Sequence, residues 1–187
     1  MKNILVAIDF SEASSNTLNY AAFLAHAFDA SLTLVHAYTG TSAFDESPEA
    51  IVYDSMEELE AANEEFLKKE MEDFSKEITH KIDRIAQKGN PVKVINEIAQ
   101  EIKPELIIMG MKGKGESNSI FGSTTTSIIG KISIPILVVP FNAGYHTIST
   151  VTLASDFNNE KLLNNYAILK EFISHFNPFI QILNVQA

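Results

Sequence analysis

The sequence predicts a doubly wound α/β fold built on a parallel five-stranded sheet. Three observations carry that expectation. Short strand-like runs recur at Lys2–Ile8, Ser31–Ala37, His80–Ala86, Leu106–Met109 and Ile136–Val139, and most of them are the near-continuous apolar runs of a sheet buried on both faces. Stretches with apolar residues at helical spacing separate them, and strands that alternate with helices wind into a parallel sheet through right-handed crossovers. A glycine-rich turn follows the fourth run directly, where a strand hands over to a helix.

Each element has its own local reason. Ser11 is placed to cap a helix whose positions Leu18, Ala21, Ala22, Leu24 and Ala25 share one face, ending near Phe28. A loop rich in Gly, Ser, Thr and Pro occupies Tyr38 to Tyr53, and a long helix follows with Met56, Leu59, Ala62, Phe66, Met71, Phe74 and Ile78 along one side. In the third strand, Ile82, Arg84 and Ala86 alternate as a half-exposed strand would. Asn90 and Pro91 are the cap and first residue of the next helix, with Ile95, Ile98, Ala99 and Ile102 as its buried face. A short helix from Thr124 to Lys131, capped by Ser123 or Thr124, precedes the fifth strand.

Composition narrows the function. The 187 residues are 45% hydrophobic, contain no cysteine and carry a net charge of −10. Thiolate metal sites, disulfides and cysteine nucleophiles are therefore excluded. Between Asp45 and Glu77 lie 13 acidic residues against 3 lysines, so the charge is local and the remainder balances. That distribution opposes a nucleic-acid binder, which needs a basic face. The acidic run reads as a solvated helix face, with a docking surface for a basic partner as the sharper alternative. No apolar stretch is long enough to span a membrane, and the chain enters its first strand at once. A cytoplasmic protein is the simplest expectation.

The chemistry concentrates at Met109-Gly110-Met111-Lys112-Gly113-Lys114-Gly115 and Phe121-Gly122-Ser123-Thr124-Thr125. Strand, glycine loop and helix start together form a phosphate-holding device: glycines expose backbone N–H groups, and hydroxyls add hydrogen bonds. The spacing Gly-x2-Gly-x8-Gly-Ser is neither a Walker A loop nor a dinucleotide fingerprint. It resembles the universal stress protein family, whose nucleotide-binding members carry Gly-x2-Gly-x9-Gly-Ser/Thr. The interval from Gly113 to Gly122 is one residue shorter here. Ile4-Leu5-Val6-Ala7-Ile8-Asp9-Phe10-Ser11, Gly89-Asn90-Pro91 and Ile134-Pro135-Ile136-Leu137-Val138-Val139-Pro140 extend the resemblance over residues 1–141.

What the resemblance implies is specific. The strand order would be 3-2-1-4-5, that of the adenine nucleotide alpha hydrolase-like fold, with ligand at the switch point between strands one and four. Met109, Gly110 and Gly113 would contact ribose and phosphates, and Gly122, Ser123, Thr124 and Thr125 would hold the phosphate tail. Ala7, Ile8 and Ala37 would receive the adenine. ATP or a related adenine nucleotide would be the ligand, with Mg²⁺ as companion. Asp9 either accepts ribose hydroxyls or an indirect Mg²⁺ contact, or caps the following helix. Lys112 and Lys114 are either phosphate partners or solvated, and Gly115 supplies flexibility. The last strand would sit at the sheet edge, where family members often dimerise, so a homodimer through Ile134–Pro140 is expected.

Catalysis has little support. The histidines His26, His36, His80, His146 and His175 show no zinc-ligand spacing. A Gly-x-Ser-x-Gly elbow and the signatures of adenylyl-transferring or pyrophosphatase relatives are absent. The expected role is a stress-response sensor or regulator, with a nucleotide-free dimeric interaction module and a slow ATPase as alternatives.

The last third repeats the first. Val151–Phe157 echoes Ile4–Phe10, Phe176–Val185 echoes Phe28–Ala37, and Leu162–Phe176 has the apolar pattern of the first helix. Residues 1–141 are thus read as one domain, 142–150 as a linker, and 151–187 as a partial second copy (β-α-β). Asp156 repeats Asp9 as a helix cap without a glycine loop beside it.

Overall fold

The computed structural model describes residues 1–39, 56–74, 81–111, 122–154 and 167–184. Their elements run β1 (Asn3–Ile8), α1 (Glu12–Phe28), β2 (Ser31–Tyr38), α2 (Met56–Phe74), β3 (Ile82–Lys88), α3 (Pro91–Ile102), β4 (Leu106–Gly110), α4 (Ser123–Ile128), β5 (Ile136–Val139), β6 (Thr150–Ala154), α5 (Ala167–Phe176) and β7 (Phe179–Leu183). The first five strands form one parallel sheet in the order β3-β2-β1-β4-β5.

Alternation across the strands explains why these runs are apolar throughout. Ile4, Val6 and Ile8 of β1 with Leu32 and Leu34 of β2 pack against Leu18, Ala21, Leu24 and Ala25 of α1. Leu5, Val35, Ile107 and Met109 pack on the other face against Val94, Ile95, Ile98 and Ala99 of α3 and Ile128 of α4. Both faces are covered, so both side-chain sets are hydrophobic. Ser11 caps α1 by accepting from the Ser14 N–H, and Asn90 caps α3 by accepting from the Val92 and Lys93 N–H groups, with Pro91 leading the helix.

Two elements differ from the sequence expectation by more than one residue. The third strand lies two residues later, because its register is fixed by pairing Leu32 with Ile82 through Tyr38 with Lys88. The fourth helix starts at Ser123, with Gly122 as a cap that makes no side-chain hydrogen bond, and ends at Ile128. Neither Ser123 nor Thr124 is the cap. Residues 40–55, 75–80, 112–121, 155–166 and 185–187 lie outside the described residues, and with them Gly113, Gly115, Lys112, Lys114, His80, Asp156 and Val185.

The strands β6 and β7 pair in parallel as a separate two-stranded sheet, with α5 between them in sequence. Helix α5 packs on the outer side of α1. Phe28 meets Phe172 at 5.2 Å and Phe176 at 5.6 Å between ring centroids, and Phe23 stacks on Phe176 at 5.8 Å. The Met1 ammonium also donates to the Glu171 carboxylate.

Candidate functional site

The chain leaves β1 toward β2 and β3 on one side and later fills β4 and β5 on the other. The carboxyl ends of β1 and β4 therefore flank the switch point, where Ala7 stands opposite Met109 in the ladder. Open parallel sheets bind ligands outside this corner. Asp9 and Gly110 both close their strands here, and the start of α4 follows.

Asp9 is held by its own turn. Its Oδ1 accepts from the Ser11 N–H at 3.1 Å and the Ser11 hydroxyl at 2.6 Å, while its N–H donates to Ser14 Oγ at 3.2 Å. Ser11 in turn accepts from the Ser14 N–H at 3.3 Å. The residue that caps α1 is Ser11, and Asp9 buttresses it. Oδ2 of Asp9 has no hydrogen bond among the described residues, and the side chain is exposed. Phe10 joins strand to helix at φ 61, a left-handed conformation uncommon outside glycine.

Gly110 has a packing reason to be glycine. A Cβ there would lie 2.8 Å from Thr17 Oγ1 and 3.4 Å from the Ala13 carbonyl oxygen. Helix α1 crosses so close to β4 that no side chain fits. The Gly110 carbonyl accepts from the Thr125 hydroxyl at 3.2 Å, and Thr125 is buried. Its hydroxyl thus binds α4 to β4 and is turned away from solvent. Ser123 is exposed, and Thr124 is half-buried. Ala7 and Ala37 pack half-buried beside the α3-side core that holds Met109, whereas the Ile8 side chain lies in the core on the α1 side. The structure thus brings Ala7, Asp9, Met109, Gly110 and the Gly122–Thr125 segment to one end of the sheet.

Sequence reasoning missed the buried polar pair beside Asp9. His36 of β2 stands opposite Ile8 in the ladder, and its Nδ1 lies 3.1 Å from the Ile8 carbonyl oxygen. That carbonyl can only accept, so Nδ1 carries the proton and Nε2 of the neutral ring is an acceptor. Asn63 of α2 donates through Nδ2 to the Leu59 carbonyl at 2.8 Å. His36 Nε2 and Asn63 Oδ1 are both buried without a hydrogen-bond partner among the described residues. His36 is 5% exposed and Asn63 0%. The Phe10 ring covers the imidazole at 4.4 Å, and Tyr38 stacks at 6.2 Å. Burial pulls the His36 imidazole below its usual range, against the Ile8 carbonyl, Asn63 and the Asp9 charge, which all favour the proton. Burial also raises the Tyr38 phenol, as do Glu60 and Glu64. Only a histidine set in an apolar strand, Val35-His36-Ala37, hinted at this arrangement.

Among the described residues no group of three or more His, Cys, Asp or Glu is placed to hold a metal, and no helix is long and apolar enough to cross a membrane.

Residues 1–140 match the family model described as the universal stress protein family. The chain is 30% identical over 140 residues to a universal stress protein of Methanocaldococcus jannaschii, covering 74% of this chain and 81% of that one. Among solved structures it is similar to a universal stress protein in complex with cAMP, with TM-score 0.58, 20% identity and coverage of 75% and 98% of the two chains. It is likewise similar to the Archaeoglobus fulgidus universal stress protein in complex with dAMP, with TM-score 0.55, 20% identity and coverage of 74% and 97%. With this sheet order and a family match over three quarters of its length, the chain belongs to the universal stress protein family.

Proposed function

We propose that this chain binds an adenine nucleotide, ATP above all, at the carboxyl ends of β1 and β4 and serves as a sensor or regulator. The observation that carries the reading is the juxtaposition at the switch point. Asp9 offers a carboxylate oxygen with no hydrogen bond among the described residues, the small residues Ala7 and Ala37 flank it, and the exposed Ser123 hydroxyl starts α4. Solved relatives with this fold hold cAMP and dAMP, which supports an adenine ligand. In this reading Ala7, Ile8 and Ala37 receive the base through their backbone. Asp9 and Met109 meet the ribose. Gly110, Gly113, Gly122, Ser123 and Thr124 hold the phosphates, with Thr125 fixing α4 to β4.

A Mg²⁺ ion carried by the phosphates would be met indirectly by Asp9 through Oδ2, since Ser11 occupies Oδ1. Among the described residues no group of three or more acids or histidines gathers at Asp9, and binding without efficient turnover is the favoured reading. The edge strand β5 would pair with a second copy of the chain, and β6-α5-β7 would be a partial second repeat of the first domain. A cytoplasmic setting agrees with a chain that has no cysteine.

One observation favours a second reading, an interaction module that holds no nucleotide: helix packing alone accounts for Gly110, and the following glycine interval is one residue short. Calorimetric titration with ATP separates the two. The nucleotide reading expects binding tighter than about 1 mM, weakened at least tenfold by Gly113→Val and less by Ser123→Ala. Binding weaker than that for the unaltered protein favours the interaction module.

A further inference from the structure

The buried pair His36–Asn63 has no part in the nucleotide contacts proposed above, yet it sits directly behind them. The His36 ring ties β2 to the last carbonyl of β1, one residue before Asp9, and is roofed by Phe10, one residue after it. On its other side two acceptor atoms, Nε2 and Asn63 Oδ1, have no donor among the described residues. A proton on Nε2 would give both a partner at once, and α2 would then be hydrogen-bonded to the sheet beneath the crevice.

We infer that His36 is a proton-sensing positioning residue: entry of an anionic nucleotide at the β1 end draws a proton onto Nε2, which closes the His36–Asn63 hydrogen bond and fastens α2. The proton comes from solvent, and no other bond is made or broken. This rests on the nucleotide reading above. Charge at the crevice reaches the ring, since the Asp9 carboxylate already favours the protonated form. Phosphates arriving at the same end add negative charge of the same sign of effect. Among the described residues the other groups facing the ring are Tyr38 on β2, with Glu60 and Glu64 of α2 beside that phenol, and the neutral Asn63. By linkage, a ligand that raises the proton affinity of His36 binds more tightly when His36 is protonated.

The experiment is ¹⁵N NMR of the histidine side chains across pH, without and with ATP in EDTA, alongside calorimetry of ATP binding at the same pH values. The neutral ring is expected as the Nδ1–H tautomer. ATP is expected to move the His36 midpoint up by about half a pH unit, and ATP to bind about threefold more tightly below that midpoint than above it. Asn63→Leu, which keeps the ring and removes its second acceptor, is expected to lower the midpoint in both states while leaving an upward ATP-linked shift. An Nε2–H tautomer overturns the inference. So does ATP binding that leaves the His36 midpoint unmoved, and in that case the nucleotide reading stands. Absence of ATP binding at every pH overturns both.

Discussion

Two parallel strand pairs in this molecule have the same connection and opposite fates. In β1–β2, Ile4 stands opposite Leu32 and Val6 opposite Leu34, and all four are fully buried against α1. In β6–β7 the corresponding partners are Val151 with Ile180 and Leu153 with Ile182. There Ile182 is 64% exposed and Phe179 67%. Helix α5 follows the pattern of α1 in sequence but spends its aromatic face on the outside of α1. A β-α-β unit is therefore not a stability unit. What makes the first pair a core is cover on both faces: α1 packs on Ile4, Val6, Leu32 and Leu34, and α3 with α4 packs on Leu5 and Val35. The largest expected effect follows directly. Leu34→Ala should destabilise by about 2–5 kcal/mol in urea unfolding, because it opens a cavity in a filled interior. Ile182→Ala, at the matching ladder position, should change stability by no more than about 0.5 kcal/mol. Equal effects would erase the distinction between the two pairs.

Next in size is the corner that lets β1 and β4 lie under one helix. Gly110→Ala places a methyl group 2.8 Å from Thr17 Oγ1, and overpacking of this kind costs about 1–3 kcal/mol. Thr17→Ala removes that oxygen, so the double variant should recover much of the loss in a thermal or urea titration. If Gly110→Ala leaves stability unchanged while weakening ATP binding, the glycine belongs to the ligand and not to the helix crossing. Nothing equivalent crosses β7 among the described residues.

The first pair was far more legible in the sequence than what surrounds it. β1, β2, β4 and β5 are apolar runs with one plausible structure, and Ser11, Asn90 and Pro91 announce their helices chemically. The third strand slipped by two residues because Ile82, Arg84 and Ala86 alternate weakly, and only its ladder with β2 sets the register. Ser123 has the right chemistry for a cap, yet Gly122 takes the position and Ser123 enters the helix. At the site, Asp9 and Gly110 were visible as strand-end residues, but their roles were not. The Ser11 hydroxyl that occupies Asp9 is local, and still its direction depends on the turn. The Thr17 oxygen against Gly110 and the Asn63 amide behind His36 are tertiary neighbours that no spacing rule reaches.

A smaller effect tests how the second pair is moored. Phe172 meets Phe28 at 5.2 Å and is half-buried; such aromatic pairs contribute about 0.5–1.5 kcal/mol beyond area burial. Phe172→Ala should therefore raise amide exchange across α5 and β7 by about tenfold, through local opening. Exchange in β1 and β2 should stay as it was. If both pairs loosen together, α5 is part of the main cooperative unit and the two regions are not separable.

The smallest expected effect is one of pH, and it belongs to one pair only. His36 is held below its usual range by burial, so the folded chain binds fewer protons than the unfolded one as the pH falls from about 6.5. Stability is complete above that value and is lost progressively toward the folded-state midpoint. The counterpart of His36 in the second pair is Asn184, which does not titrate. Unfolding free energies measured between neutral and mildly acid pH should therefore fall more steeply for the unaltered chain than for His36→Gln. Amide exchange should place the difference at the ends of β1 and β2, with β6 and β7 unaffected. The reverse slope, with stability gained on acidification, would mean that the Asn63 hydrogen bond outweighs the desolvation of the charged ring even with no ligand present.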